Sequence, residues 1–298
     1  MAGDARTMKL AAAEARTLTD RLARIVRRAA AASLAFLAAT WASALFAQDV
    51  PFVPTPQVVL DEMLRMADVG PKDVVYDLGS GDGRIVITAA KKFGARGIGV
   101  ELDAALVAES EENARAADVA DRVKFLRQDF FKTDFSDATV IAMYLLPGVM
   151  KRLRAQVLEL KPGTRIVAHD FDFEDWKPDR RTSIRKNVFM WIVPAQVAGK
   201  WRVRAMLPGG AHSFDMELRQ KYQEIDGHAR FDSIAGAGLW ETKLAGDRIG
   251  FVVVDNRDRD NEATLYFDGL VRGNTMAGTA LRGVGNEQVK IEWSAEKL

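Results

Sequence analysis

Cysteine is absent from the 298 residues, which excludes disulfides, thiolate metal sites and cysteine nucleophiles. An excess of charge of either sign is absent too, since 42 Lys plus Arg face 41 Asp plus Glu. That balance argues against a broad electrostatic footprint, so nucleic acid is not an expected partner. Histidine is scarce, and His169 has no second histidine near it in sequence, so no metal site is expected. What the chain does have is 48% hydrophobic residues over a length greater than one average domain. A sizeable core and two domains are the natural reading.

The N-terminal stretch stands apart. Arg24, Arg27 and Arg28 precede an uncharged, alanine-rich run from Ala29 to Ala47. Ala42-Ser43-Ala44 forms an A-x-A exit, Ala47 offers a second cleavage point, and Met8 is an alternative start to Met1. A basic flank, apolar run and small-residue exit read as a signal peptide over residues 1–47. The competing readings are a membrane anchor, because about 19 residues just span a bilayer core, and a soluble amphipathic leader. The first two expectations give an exported chain, periplasmic or membrane-anchored. The third leaves it cytoplasmic.

Residues 48–195 carry an alternating rhythm. Thr55 is placed as an N-cap with Pro56 at the first helical position, and Val59, Leu60, Met63, Leu64 and Ala67 repeat on one helical face. Strands are expected at Val74 to Leu78, Gly97 to Glu101, Val123 to Leu126, Thr139 to Met143 and Arg165 to Ala168. Helices fall between them at Arg84 to Phe93, Ala104 to Ala117 and Gly148 to Leu160. Strands separated by helices of this length imply right-handed crossovers and a doubly wound, mostly parallel α/β sheet of Rossmann type. Arg181 to Lys186 and Val188 to Val193, flanking Asn187, are expected to close it antiparallel. Residues 196–298 alternate apolar and polar positions instead. Turn signals stand at Pro208-Gly209-Gly210, Asp226-Gly227, Gly246-Asp247, Asp268-Gly269 and Gly273-Asn274. They read as a small all-β domain, a barrel or sandwich. Trp240 and Tyr266 fill that barrel in the simpler reading and form a binding face in the other.

The chemistry concentrates in Asp77-Leu78-Gly79-Ser80-Gly81-Asp82-Gly83-Arg84, at a strand-to-helix turn. Glycines there allow tight turning and close approach of a ligand to the backbone. The spacing is G-x-G-x-G, which departs from the dinucleotide fingerprint G-x-G-x-x-G. Asp77 suits a ligand bearing an ammonium group. Glu101, about 20 residues on, can accept from ribose hydroxyls. Asp129 can accept from an exocyclic amine, and Phe130 can stack on a purine.

These motifs resemble those of the seven-strand, class I S-adenosylmethionine-dependent methyltransferases, over roughly Thr55 to Pro194. VPTP, DLGSGDGRIVITAA and Tyr144 to Pro147 (YLLP) are similar more narrowly to a bacterial group related to the small mitochondrial lysine methyltransferases. The resemblance implies S-adenosyl-L-methionine as cofactor, with Asp77, Gly79, Ser80, Gly81, Gly83, Glu101, Asp129 and Phe130 as its binding set. It implies in-line methyl transfer to a nucleophile, a protein lysine or a small molecule. Tyr144, after the fourth strand, either gates the transfer channel or only packs. Asp170 is a substrate anchor or base in one reading and a structural cap in the other. Trp176 and Trp191 read as core or lid aromatics. The alternative to an enzyme is a degenerate methyltransferase fold kept as a binding module, with recognition by the β domain.

Overall fold

The computed structural model describes residues 52–207, 210–231, 237–255, 263–283 and 288–298. The proposed leader and the turn signal Pro208-Gly209 lie outside the described residues. Residues from Pro54 onward form one compact unit containing two sheets.

The first sheet is built from strands β1 (Val74–Leu78), β2 (Arg96–Glu101), β3 (Val123–Arg127), β4 (Val140–Met143), β5 (Arg165–His169), β6 (Arg180–Ile184) and β7 (Lys186–Ile192). Their order is β3-β2-β1-β4-β5-β7-β6. The first five run parallel, and β7 pairs antiparallel with β5 and with β6. Helices α1 (Gln57–Met66), α2 (Arg84–Phe93), α3 (Ala104–Ala116) and α4 (Pro147–Leu158) supply the crossovers and cover. The near-continuous apolar runs have a direct physical cause, because both faces of the sheet are buried. Val75, Ala142 and Val167 pack with Leu60, Met63 and Leu64 of α1. Leu78, Ile141 and Met143 point the other way, onto Met150, Leu153 and Val157 of α4.

Two local expectations need correction here. The α1 cap is Pro56, with no side-chain cap, and the Thr55 hydroxyl turns instead to His169 Nδ1, 3.2 Å away. The β6–β7 turn falls at Arg185, with φ of 64°, two residues before Asn187.

The second sheet is wholly antiparallel. Its strands are β8 (Gly199–Leu207), β9 (Gly210–Lys221), β10 (Glu224–Arg230), β11 (Ala237–Gly238), β12 (Trp240–Ala245), β13 (Arg248–Asp255), β14 (Ala263–Arg272), β15 (Thr275–Arg282) and β16 (Val289–Lys297), ordered β11-β10-β9-β8-β16-β15-β14-β13-β12. Its edges nearly meet: Thr242 Oγ1 donates to Ile225 O at 2.6 Å, and Leu239 N donates to Gly227 O at 3.0 Å. The result is a nearly closed barrel around Trp201, Phe214, Phe251, Phe267 and Trp293.

Gly246-Asp247 and Gly273-Asn274 are hairpin turns as expected. Asp226-Gly227 and Asp268-Gly269 instead lie inside β10 and β14. The reason is packing, because a Cβ at Gly227 would collide with Glu217 O and one at Gly269 would sit 2.6 Å from Trp293. Trp240 and Tyr266 do not fill the barrel; they are exposed on its outer face.

The two sheets are joined by packed aromatics. Trp176 is fully buried, stacks on Tyr222 at 5.5 Å and donates from Nε1 to Gln223 Oε1 at 2.8 Å. Ala195 N donates to Gly246 O at 2.8 Å.

Candidate active site

The site lies along the carboxyl ends of β1, β2, β3, β4 and β5, where an open α/β sheet leaves its loops free to meet a ligand. β1 is buried along its whole length and emerges into Gly79, Gly81 and Gly83, with φ of 83°, 52° and 78°. An L side chain rarely adopts these values, so the turn requires glycine. Close packing requires it as well, since a Cβ on Gly83 would lie 2.7 Å from the Phe125 ring.

The loop is held rigidly. Ser110 Oγ donates to Gly81 O at 2.9 Å and Asn113 Nδ2 to Asp82 O at 3.0 Å, both from α3. Arg84 grips the Asp82 carboxylate through Nε and Nη2, at 2.9 and 2.6 Å, and reaches Thr55 O with Nη1 at 3.1 Å. Arg84 thereby ties the segment before α1 to the glycine loop.

Glu101 ends β2. Its Oε2 accepts from Gly81 N at 3.0 Å, and Oε1 accepts from Leu102 N and Asp103 N at 2.7 and 3.1 Å. Three backbone donors therefore fix the carboxylate against the glycine loop. Asp129 follows β3, and its Oδ1 accepts from Phe131 N at 2.9 Å, capping the short 3-10 turn Phe130–Lys132. Phe130 is half-buried against Phe131, with ring centroids 4.8 Å apart.

Asp77 is the most demanding residue electrostatically. It is buried, and burial pushes its carboxyl well above the usual carboxylate range, with Glu101 and Asp82 acting in the same direction. Among the described residues no cation is paired with it. An ionised carboxylate in such surroundings calls for a positive partner. Ser80 Oγ is likewise buried with no hydrogen-bond partner.

A second cluster occupies the ends of β4 and β5. The Tyr144 ring lies 3.9 Å from that of His169 and 6.1 Å from Phe171. His169 is buried, and burial holds its imidazole below the ordinary histidine value, opposed by Asp170 and reinforced by Lys186. Its Nε2 has no partner. Asp170 takes φ of 65° and accepts from Lys186 Nζ at 2.9 Å through Oδ2. The structure thus brings Tyr144 and Asp170 to one edge with the glycine loop. Sequence reading missed the Thr55–His169 pair and the Arg84 tie, which join residues far apart in the chain.

The chain is similar to known proteins. The ANTKMT methyltransferase domain matches residues 77–180. A protein-lysine N-methyltransferase of Saccharolobus islandicus is 45% identical over 131 residues, which are 43% of this chain and 81% of that protein. The adenine nucleotide translocase lysine N-methyltransferase of Mus musculus is 34% identical over 131 residues, 43% of this chain and 56% of that protein. Four further vertebrate lysine N-methyltransferases match over 53% to 61% of their own length, so the chain spans little more than half of these relatives. Among solved structures, an RNA methyltransferase from Salinibacter ruber in complex with S-adenosyl-L-homocysteine is 51% identical, covering 49% of this chain and 96% of that one with a TM-score of 0.48.

The chain belongs to the class I S-adenosylmethionine-dependent methyltransferases. Within that class, residues 77–180 are similar to the ANTKMT methyltransferase domain, and the protein-lysine N-methyltransferase of Saccharolobus islandicus is similar over 81% of its own length. S-adenosylmethionine is its methyl donor, and the residues present fit it: the buried Asp77 carboxyl answers an ammonium group, and the orphaned Ser80 hydroxyl lies in the same glycine loop.

Proposed function

We propose that the chain transfers a methyl group to the side-chain amine of a protein lysine. The observation that carries the reading is the buried Asp77 carboxyl, set in a glycine loop clamped by Glu101 and α3, with no cation paired to it among the described residues. A scaffold gains nothing from such a costly group, which weighs against a degenerate binding module. Asp77, Gly79, Ser80, Gly81 and Gly83 would hold the methionine end of the donor. Glu101 would hold the ribose, and Asp129 with Phe130 the adenine. The donor supplies an electrophilic methyl on a sulfonium, so the protein's task is alignment and exclusion of water, which can contribute on the order of 7–11 kcal/mol.

Lysine as acceptor is supported by the names of the Saccharolobus islandicus and Mus musculus relatives. It also suits the acceptor edge, where Tyr144, His169 and Phe171 form an aromatic wall beside the Asp170 carboxylate. Large apolar side chains stand exposed just past two of the same strand ends, Leu102 after β2 and Leu146 after β4. Such a rim suits a protein surface better than a small polar metabolite.

The test is calorimetric titration of S-adenosylmethionine together with methyl transfer into lysine-bearing proteins. Gly81→Val places a β-branched residue at φ of 52° and should weaken donor binding at least 100-fold, about 2.7 kcal/mol, in a folded chain. Unchanged affinity in that variant would sink the site assignment.

We further propose that residues 1–47 direct the chain out of the cytoplasm or anchor it to the membrane. The support is Arg24, Arg27 and Arg28 before the alanine-rich run to Ala47. A phosphatase reporter fused after Pro51 should be active; an inactive reporter in the cytosolic fraction refutes export and leaves the methyltransferase untouched.

A further inference from the structure

We propose that Lys186 is itself a methyl acceptor, modified in cis by its own chain, a reading that rests on lysine being the acceptor class. The turn before β7 brings Lys186 to the edge where transfer takes place. β7 runs antiparallel to β5 with Val188 opposite His169, so the start of β7 stands beside the end of β5. There Asp170 N donates to Asn187 O at 2.8 Å, and Asp170 Oδ2 accepts from Lys186 Nζ at 2.9 Å. Asp170 stands in the chain between His169 and Phe171, whose rings lie 3.9 and 6.1 Å from that of Tyr144. A lysine amine thus already stands on the carboxylate that borders the aromatic wall an incoming lysine would use.

The alternative is an ordinary surface ion pair, and exposure bears on it. The Lys186 side chain is 52% exposed while that of Asp170 is 19% exposed. A pair so open contributes little to stability. The Asp170 carboxylate holds the ammonium above its ordinary range, so Nζ must leave the pair and give its proton to water before it can act as a nucleophile, and the open site leaves room for both. In the step itself Nζ forms a bond to the methyl carbon and the carbon–sulfur bond breaks. The sulfur keeps the electron pair, S-adenosylhomocysteine leaves, and Lys186 becomes N-methyl-lysine, still able to donate to Asp170.

The experiment uses the purified full chain with isotopically labelled S-adenosylmethionine, read by peptide mass spectrometry, with a parallel vessel containing poly-L-lysine. Labelled methyl is expected on Lys186. Lys186→Arg, which keeps a positive charge beside Asp170, should lower total self-labelling at least tenfold. When wild type is mixed with the Gly81→Val chain, only wild-type Lys186 should carry label. Labelled poly-L-lysine with an unmodified Lys186 overturns the inference and leaves the lysine reading intact. Self-labelling at other lysines overturns it too, and label on the Gly81→Val chain overturns the cis assignment. Donor binding with no label on any lysine removes the lysine reading and this inference together.

Discussion

Ten polar or charged side chains are buried among the described residues: Thr55, Asp73, Asp77, Ser80, Asp82, Thr88, Ser110, Thr133, Thr164 and His169. All belong to the α/β half. Among the described residues the barrel buries only apolar side chains, and its cross-strand charges, such as Arg248 with Asp268 and Arg219 with Asp226, stay in solvent. The contrast follows from topology. A parallel sheet ends in loops that leave polar groups at the strand ends for a ligand, whereas alternation in an antiparallel barrel separates core from solvent residue by residue. Most of the ten are hydrogen-bonded within the chain, as Asp73 is to Thr139 and Ser110 to Gly81, whereas among the described residues Ser80 Oγ and His169 Nε2 have no partner and Asp77 no paired cation. Burying such groups is costly, and these three stand at the carboxyl ends of β1 and β5.

Four perturbations break or sharpen this contrast. The largest is Trp191→Ala, which empties a fully buried site among Phe173, Trp176 and Phe189 and should cost about 3–5 kcal/mol. Because the halves share this aromatic seam, urea unfolding followed by fluorescence should stay a single transition at a lower midpoint. Two separated transitions would show that the halves are energetically independent.

Ending the chain after Val197 removes the barrel and uncovers Trp176, which is wholly buried and stacked on Tyr222. The fragment, proposed to fold by itself, should lose roughly 2 kcal/mol of stability and still bind the donor. A fragment that is soluble but does not bind would make the barrel part of the site.

Asp77→Asn separates function from stability. The Asp77 carboxyl has a raised pKa in the folded chain, so between the ordinary carboxylate value and the raised one the unfolded state is ionised and the folded state is not. Stability therefore falls as pH rises through that window, and the asparagine removes the loss. The variant should melt higher than wild type at neutral pH, by about 2–4 °C for each kcal/mol recovered, while donor affinity drops about tenfold. A lower melting temperature at neutral pH would contradict the electrostatic reading.

The smallest effect is expected in the barrel. Arg248→Ala removes an exposed pair with Asp268, held at 2.8 and 3.1 Å, and should shift stability by less than about 1 kcal/mol with donor binding unchanged.

Much of this was written in local order. Continuous apolar runs bounded by helices announced a sheet covered on both faces, and Gly79, Gly81 and Gly83 after Asp77 announced a tight strand-to-helix turn. Other features depend on neighbours distant in the chain. Asp226-Gly227 and Asp268-Gly269 carry turn chemistry, yet they lie in strands because adjacent strands and Trp293 leave no space for a Cβ. Trp240 and Tyr266 look like core residues, and the barrel turns them outward.

The sequence by itself determined the period of each element, the two architectures and the identity of the glycine loop, because these rest on side-chain alternation and backbone freedom within a few residues. Only the tertiary structure decided what each functional group faces. Thr55 and His169 meet across 114 positions, Lys186 meets Asp170 through an antiparallel turn, and Asp77 becomes hard to ionise only once β2 and β4 enclose it. Burial and charge proximity are properties of the packed chain, and no local pattern encodes them.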